Sequence, residues 1–284
     1  MERAIDIPED SGALKFLYHS FMGRVLLKGL CARRVSMLCG RFCDSVLSRF
    51  LIGPFVIKNS IDLSIYEDEE YACFNDCFAR RIVAKERPVD MEADHFIAPC
   101  DGLLSAYRIN DGLVIPAKQS KYSLERLLRN KRVADYYSDG ICLVYRLCVN
   151  HYHRYCYVDS GIKSKNVHID GILHTVRPIA LDCGPVFTEN SREYTLIKTP
   201  KFGTVLQMEV GAMLVGKIVN NEECAEVVRG CEKGHFDYGG STIIILVKKD
   251  RLELDENIFE ATENGKEIPV KMGECIGRSL RSLR

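Results

Sequence analysis

Near the start of the chain, apolar residues recur at three- and four-residue steps: Leu14, Leu17, Phe21 and Val25, then Leu38, Phe42, Val46 and Phe50. That spacing puts each set on one face of a helix. Gly53-Pro54 predicts the end of this stretch. A further helix is expected over Tyr66 to Ile82, with Tyr71, Phe74, Phe78 and Ile82 on one face and Arg87-Pro88 closing it. From Phe96 onward the pattern changes to short apolar runs separated by turn residues. Strands are expected at Leu103–Ile109, Ile141–Val149, Tyr194–Thr199, Thr204–Val210, Met213–Val219 and Thr242–Val247. One short helix, Ser123 to Arg129, interrupts them, with Ser123 as its N-cap. There is no repeat and no low-complexity tract. The pattern predicts an α+β protein: a helical segment over residues 1–90, then a mostly-β domain of sandwich or barrel type over residues 91–284.

Charge changes the reading of the first part. The 284 residues carry no formal net charge, which argues against a nucleic-acid binder. Between Ser11 and Phe50, however, seven basic residues (Lys15, Arg24, Lys28, Arg33, Arg34, Arg41, Arg49) stand against one acid, Asp44. Such helices either pack on the β domain with basic outer faces or lie on an anionic bilayer. Each basic residue near such a surface contributes about 1 kcal/mol, enough in sum for peripheral attachment. No signal peptide is expected, because the start is acidic and lacks an apolar run. No transmembrane span is expected, because Val35 to Ile57 is broken by Arg41, Asp44, Arg49 and Pro54. The 13 cysteines show no C-x-x-C spacing and read as small buried thiols in a reducing compartment. His151, His153 and Cys156 have ligand chemistry. On a strand, though, the two histidines would share a face that the cysteine does not, so no metal is expected.

The stretch Phe236-Asp237-Tyr238-Gly239-Gly240-Ser241-Thr242 carries two glycines and a serine directly before a strand that needs none of them for packing. A tight turn explains them blandly. The chemical reading is that the Ser241 hydroxyl attacks the carbonyl of its own preceding residue, with glycine permitting the bent backbone. Intramolecular placement supplies roughly 7–11 kcal/mol of such a barrier. Elimination and hydrolysis then leave a pyruvoyl group, which forms a Schiff base with an amine and accepts the electrons of a decarboxylation. A base and oxyanion donors are required. Asp101, His151, His153, Cys156, His168 and His174 are the candidates.

Taken in order, "RPVD", "APCDG", "KYSLERLL", "YHR", "NSREY", "FGTVLQMEVGAMLVGKI" and "EKGHFDYGGSTI" resemble the phosphatidylserine decarboxylases, over about Tyr71 to Ile244. The resemblance implies a pyruvoyl enzyme made as a proenzyme that cuts itself between Gly240 and Ser241, giving a β subunit ending at Gly240 and an α subunit beginning at the pyruvoyl. It implies that Asp101 and Ser241 belong to an Asp-His-Ser self-cleavage triad and that His153 serves decarboxylation. The triad histidine usually stands where this chain has Cys156, and the acid usually preceding Tyr-His is His151. Three explanations remain for the missing base. His153 serves both steps, His174 substitutes, or Cys156 acts as a thiolate, which is ranked last because its pKa would have to fall.

The implied reaction is decarboxylation of phosphatidylserine in an anionic membrane to phosphatidylethanolamine, by a peripheral protein on the cytoplasmic face. Leu14, Leu17, Phe21 and Phe50 are the expected bilayer contacts. The oligomeric state is left between monomer and homodimer. The alternatives are a pyruvoyl decarboxylase of a soluble amino acid and a non-catalytic carrier or binding module built around "VGAMLVGKI".

Overall fold

Ser241–Val247 is buried at all of its positions, which only a strand covered on both faces and flanked on both edges can achieve. In the computed structural model it is the middle of a ten-stranded antiparallel sheet. The structure describes residues 4–6, 12–30, 33–67, 70–110, 113–117, 120–175, 179, 186–212, 217–221, 223–239 and 241–280.

On one side of Ser241–Val247 lie Ile141–Leu147, then Gly102–Arg108, Lys266–Val270 and the short Ile5–Asp6. On the other lie Thr204–Val210, Arg192–Lys198, Gly161–Lys163 and Ala225–Val227, with Val167–Ile169 also pairing Arg192–Lys198. The sheet stays open at Ile5–Asp6 and at Ala225–Val227, so no barrel closes and the sandwich half of the expectation describes it better. Two three-stranded sheets accompany it: Ile218–Asn220 with Glu232–Phe236 and Arg154–Cys156, and Leu252–Leu254 with Cys275–Ser279 and His95–Ile97. Leu104, Leu143, Tyr145, Val205, Met208, Ile243, Ile245, Phe96 and Phe202 lie in one continuous core. Truncating any of these to Ala removes buried apolar volume, at a cost of about 2–5 kcal/mol.

The register fixes one end of the sheet. Ser241 pairs with Leu147, Thr242 with Val210, and Val210 with Arg192, while Leu103 pairs with Arg146. The first residue of the Ser241 strand therefore stands level with the end of the Ile141 strand and the beginning of the Gly102 strand. Asp101 and Cys148, just outside the other two termini, therefore lie at the same end of the sheet as Ser241.

The helices of the first part are Gly12–His19, Phe21–Leu30, Arg33–Cys43 and Ile52–Lys58. A 3₁₀ segment, Val46–Leu51, precedes the last of these. Gly53-Pro54 does not end the helical stretch. Pro54 sits in the first turn of Ile52–Lys58, where its missing N–H is not needed. The expected helix over Tyr66 to Ile82 is reduced to Phe74–Phe78, and Tyr66 and Ile82 pair as an isolated bridge. Tertiary contacts decide this: Ser48 Oγ accepts the Phe74 N–H at 2.8 Å, and the rings of Phe74 and Phe78 turn onto Tyr238. Ser123 does cap its helix, Leu124–Leu128, accepting the Arg126 N–H. Of the expected strand Met213–Val219, residues 213–216 lie outside the described residues, and the strand found is Ile218–Asn220.

Tyr18 and Leu27 join the main core, and Leu17 packs against it, so the first two helices dock on the β domain through these residues. Phe21, Met22, Val25 and Leu26 remain exposed, as do Leu38, Phe42, Val46, Leu47 and Phe50. Leu47 is 76% exposed, Phe50 69% and Ile57 80%. Leu17, expected to face a bilayer, faces inward instead. The side chains of Leu14 and Lys28 lie outside the described residues. Among the described residues no helix is long and apolar enough to cross a membrane.

Candidate active site

The segment before Ser241 is held by two backbone carbonyls and one side chain from elsewhere in the chain. Phe236 N–H donates to His153 O at 3.0 Å, Asp237 N–H to Lys217 O at 3.1 Å, and Tyr238 N–H to Asn75 Oδ1 at 3.0 Å. The Tyr238 ring meets Phe55, Phe74 and Phe78 edge-on. Gly239 has φ +140°, a conformation that disfavours any residue with a Cβ. Gly240 lies outside the described residues. Ser241 is fully buried, and its Oγ has no hydrogen-bond partner among the described residues. An orphaned buried hydroxyl costs stability, which makes it a candidate for chemistry rather than packing.

His153 is another of the described residues with an unpartnered buried atom. It is fully buried and lies against the Phe78 ring at 4.1 Å between centroids. Its Nδ1 is 2.9 Å from the His151 carbonyl, an acceptor, so Nδ1 carries the proton. Nε2 therefore offers a lone pair, and it too has no partner. Burial holds the His153 pKa well below the usual range, and Arg80 lowers it further. The imidazole is thus neutral at physiological pH.

Asp101 lies in the turn before its strand, as the sequence suggests. Arg87 grips it through Nε at 2.7 Å and through Nη2, and Met272 N–H donates to Oδ1 at 2.9 Å. His151 occupies the same neighbourhood. Burial lowers its pKa, the Asp101 charge opposes that, and Arg146 and Arg87 add to it. Its Nδ1 accepts the Cys148 N–H at 3.1 Å. His151 and His153 lie in the turn before the strand Arg154–Cys156, not in the strand itself. The strand alternation used in the metal argument therefore does not describe them.

His174 approaches from the opposite side of the Ser241 strand. The Asn190 side chain brackets its backbone, accepting from His174 N–H at 2.9 Å and donating to His174 O at 2.8 Å and to Gly211 O at 2.7 Å. Gly211 follows Val210, the partner of Thr242. The ring itself meets Tyr18, with Nδ1 3.3 Å from the hydroxyl. Cys156 is fully buried, and burial pushes its thiol up to about 12. That leaves no thiolate at neutral pH, contrary to the third explanation for the missing base. His168 lies on an exposed strand near Asp170 and Glu193, away from these groups.

The structure thus brings Asp101, His151, Ser241 and the backbone beside His174 to one end of the sheet, with His153 joined to His151. Sequence reasoning missed Arg87, which it read only as a helix terminator. It missed Phe78, read only as part of one face of a helix, and Asn75, which it did not single out, and it missed His151 as a neighbour of Asp101. The Arg of "RPVD" was the available signal, because a buried carboxylate needs a cation or donors.

Comparison with known proteins shows the family. Residues 74–278 match the family model described as phosphatidylserine decarboxylase. The chain is 42% identical over 270 residues to phosphatidylserine decarboxylase proenzyme 2 of Clostridium acetobutylicum, covering 95% of this chain and 92% of that one. It is 39% identical over 284 residues to the phosphatidylserine decarboxylase proenzyme of Clostridium perfringens, covering 97% and 96%. A match that spans both the helical part and the strand-rich part places this chain in the phosphatidylserine decarboxylase family.

Proposed function

We propose that the chain is a self-cleaving proenzyme that decarboxylates phosphatidylserine to phosphatidylethanolamine at a membrane surface. The observation that carries this is the buried, unpartnered Ser241 hydroxyl directly after the glycine pair. In the proposed cut, Oγ attacks the carbonyl carbon of Gly240 and the peptide N–C bond becomes an ester. Loss of the Ser241 α-proton expels the Gly240 carboxylate and leaves a dehydroalanine. Water then replaces its nitrogen, ammonia departs, and a pyruvoyl group caps the new α chain. The pyruvoyl ketone supplies an electron sink for decarboxylation of an amine-linked substrate.

His153 is the favoured base, because its Nε2 lone pair and the Ser241 hydroxyl are a complementary orphaned acceptor and donor. Asp101, fixed by Arg87 and Met272, supplies negative charge beside His151, whose carbonyl sets the His153 tautomer. His174 is the second reading, supported by its tie through Asn190 to Gly211. The exposed apolar residues of the helices, among exposed Lys15, Arg24, Arg41 and Arg49, support peripheral binding to an anionic bilayer. The free thiols of the described cysteines suit the cytoplasmic face.

Release of CO₂ from phosphatidylserine in vesicles tests the reading. Activity on vesicles and none on free serine supports it. Activity on a free amino acid alone selects the soluble-substrate alternative, and a chain inactive on both while remaining uncut selects a binding module.

A further inference from the structure

We propose that Asp90, His95 and Cys275 form a zinc site on the far side of the loop that holds Asp101. One ligand atom from each of the three lies within 4.8 Å of the others. The donor set, a carboxylate oxygen, an imidazole nitrogen and a thiolate sulfur, suits a borderline cation such as zinc rather than magnesium or calcium. Zinc takes such ligands at about 2.0–2.3 Å, so tetrahedral donors stand roughly 3.3–3.8 Å apart. His95 Nδ1 and Asp90 Oδ2 are 2.8 Å apart, a direct hydrogen bond, so an ion entering between them widens that pair by about 0.5 Å and draws in the half-buried Cys275 thiol, whose sulfur lies within 4.8 Å of both. Binding releases the Cys275 thiol proton, and in the bound state the His95 proton sits on Nε2 so that Nδ1, now hydrogen-bonded to Asp90, is free to coordinate. Water fills the fourth position.

The ligands are already held by second contacts, as metal ligands require. Asp90 N–H donates to Gly273 O at 3.0 Å, and Asp90 Oδ1 accepts the Glu92 N–H at 2.9 Å, leaving Oδ2 toward His95. His95 N–H donates to Glu92 O at 3.1 Å. The buried guanidinium of Arg229, paired with Asp159 at 2.8 Å, donates to the carbonyls of Glu92 and Ala93 and fixes the loop between the first two ligands. Cys275 is locked opposite Ile97 by strand pairing. This assembly uses residues that the proposed cleavage chemistry does not.

The position of the site gives it a role. Asp90 and His95 precede Ser241 and Cys275 follows it, so after cleavage one ion would join the two subunits. That consequence rests on the self-cleavage reading, whereas metal binding itself does not. The loop from Lys271 to Cys275 presents Met272 N–H to Asp101 at one end and Cys275 to the ion at the other.

The test uses the full chain, wild type and the uncut Ser241→Ala, freed of metal with chelator and given zinc chloride. Metal content is then read by mass spectrometry after gel filtration, and cobalt is added in parallel for absorption spectra. The expected result is about one zinc per chain in both proteins, with a thiolate-to-cobalt charge-transfer band. Both signals should disappear in Cys275→Ser and His95→Gln and persist in Cys231→Ser, which removes an exposed thiol. Absence of the charge-transfer band, or zinc retained in Cys275→Ser, overturns the proposal. If Cys275→Ser fails to fold, the wild-type cobalt spectrum and His95→Gln decide. Zinc bound by Ser241→Ala while the wild type stays uncut would uphold the site and refute only the link between subunits.

Discussion

Arg87 holds Asp101 as a fork: Nε donates to one carboxylate oxygen at 2.7 Å and Nη2 to the other, with both side chains about nine-tenths buried. A carboxylate so placed is fixed in direction. Arg87→Ala strands that charge, and breaking such a pair costs about 3–5 kcal/mol. The variant should melt at a lower temperature and cut itself more slowly. Arg87→Lys keeps the charge without the fork, so it should recover stability more than cleavage rate. Thermal melts and gel-resolved cleavage time courses read the two effects separately. Equal recovery of both in the lysine variant would remove the orienting role.

Asp237 stands four residues before Ser241, and its carboxyl is pushed up to about 6 by burial, with Asp44 adding and Lys217 opposing. A carboxyl raised in the folded state favours folding while protonated and loses that advantage as pH rises from near 4 through 6. Asp237→Asn should therefore stabilise the protein at pH 8, with a gain that shrinks below pH 6 and vanishes near pH 4. Melting curves across that range check it. His235 behaves in the opposite sense. Burial depresses its pKa to about 4, so its neutral form contributes stability above about 6.5 that is lost as pH falls toward 4. A gain for Asp237→Asn that stays constant with pH would contradict the assignment.

Cys156, where the family resemblance would put a triad histidine, has a thiol that burial pushes up to about 12. Cys156→Ser should leave the self-cleavage rate within about threefold of wild type, since the small buried side chain is not the base. A complete block with the fold intact would restore the thiolate explanation.

The exposed apolar strip of the helices predicts membrane attachment with two separable parts. Replacing Lys15, Arg24 and Lys28 by Glu should release the protein from anionic vesicles at low salt. Replacing Leu47 and Phe50 by Glu should weaken binding even where salt has already screened the charges. Vesicle flotation at two salt concentrations measures both. Binding unchanged in both variants would place the docking face elsewhere.

The sequence showed the buried strands well, because Ile141–Leu147, Thr204–Val210 and Ser241–Val247 are long apolar runs that few other structures can hold. It singled out Ser241 and Asp101 through their motifs, and the structure places both at one end of the sheet. It failed where distant contacts decide local form. Phe74 and Phe78 have helical spacing, but their helix is one short turn because Ser48 and Tyr238 compete for the surrounding segment. Pro54 signals a break, yet it opens a helix because only its position within the turn matters. Arg87 is invisible as a partner of Asp101, because a separation of fourteen positions says nothing about where the two ends meet.

The central claim is that the Ser241 hydroxyl severs its own backbone and becomes a keto cap. Intact-mass spectrometry of the purified protein, beside Ser241→Ala, reads this directly. The account predicts two fragments in the wild type, the smaller beginning at residue 241 with a pyruvoyl in place of serine, and one unbroken chain in the variant. An active wild-type protein whose mass is that of the full uncut chain would contradict it.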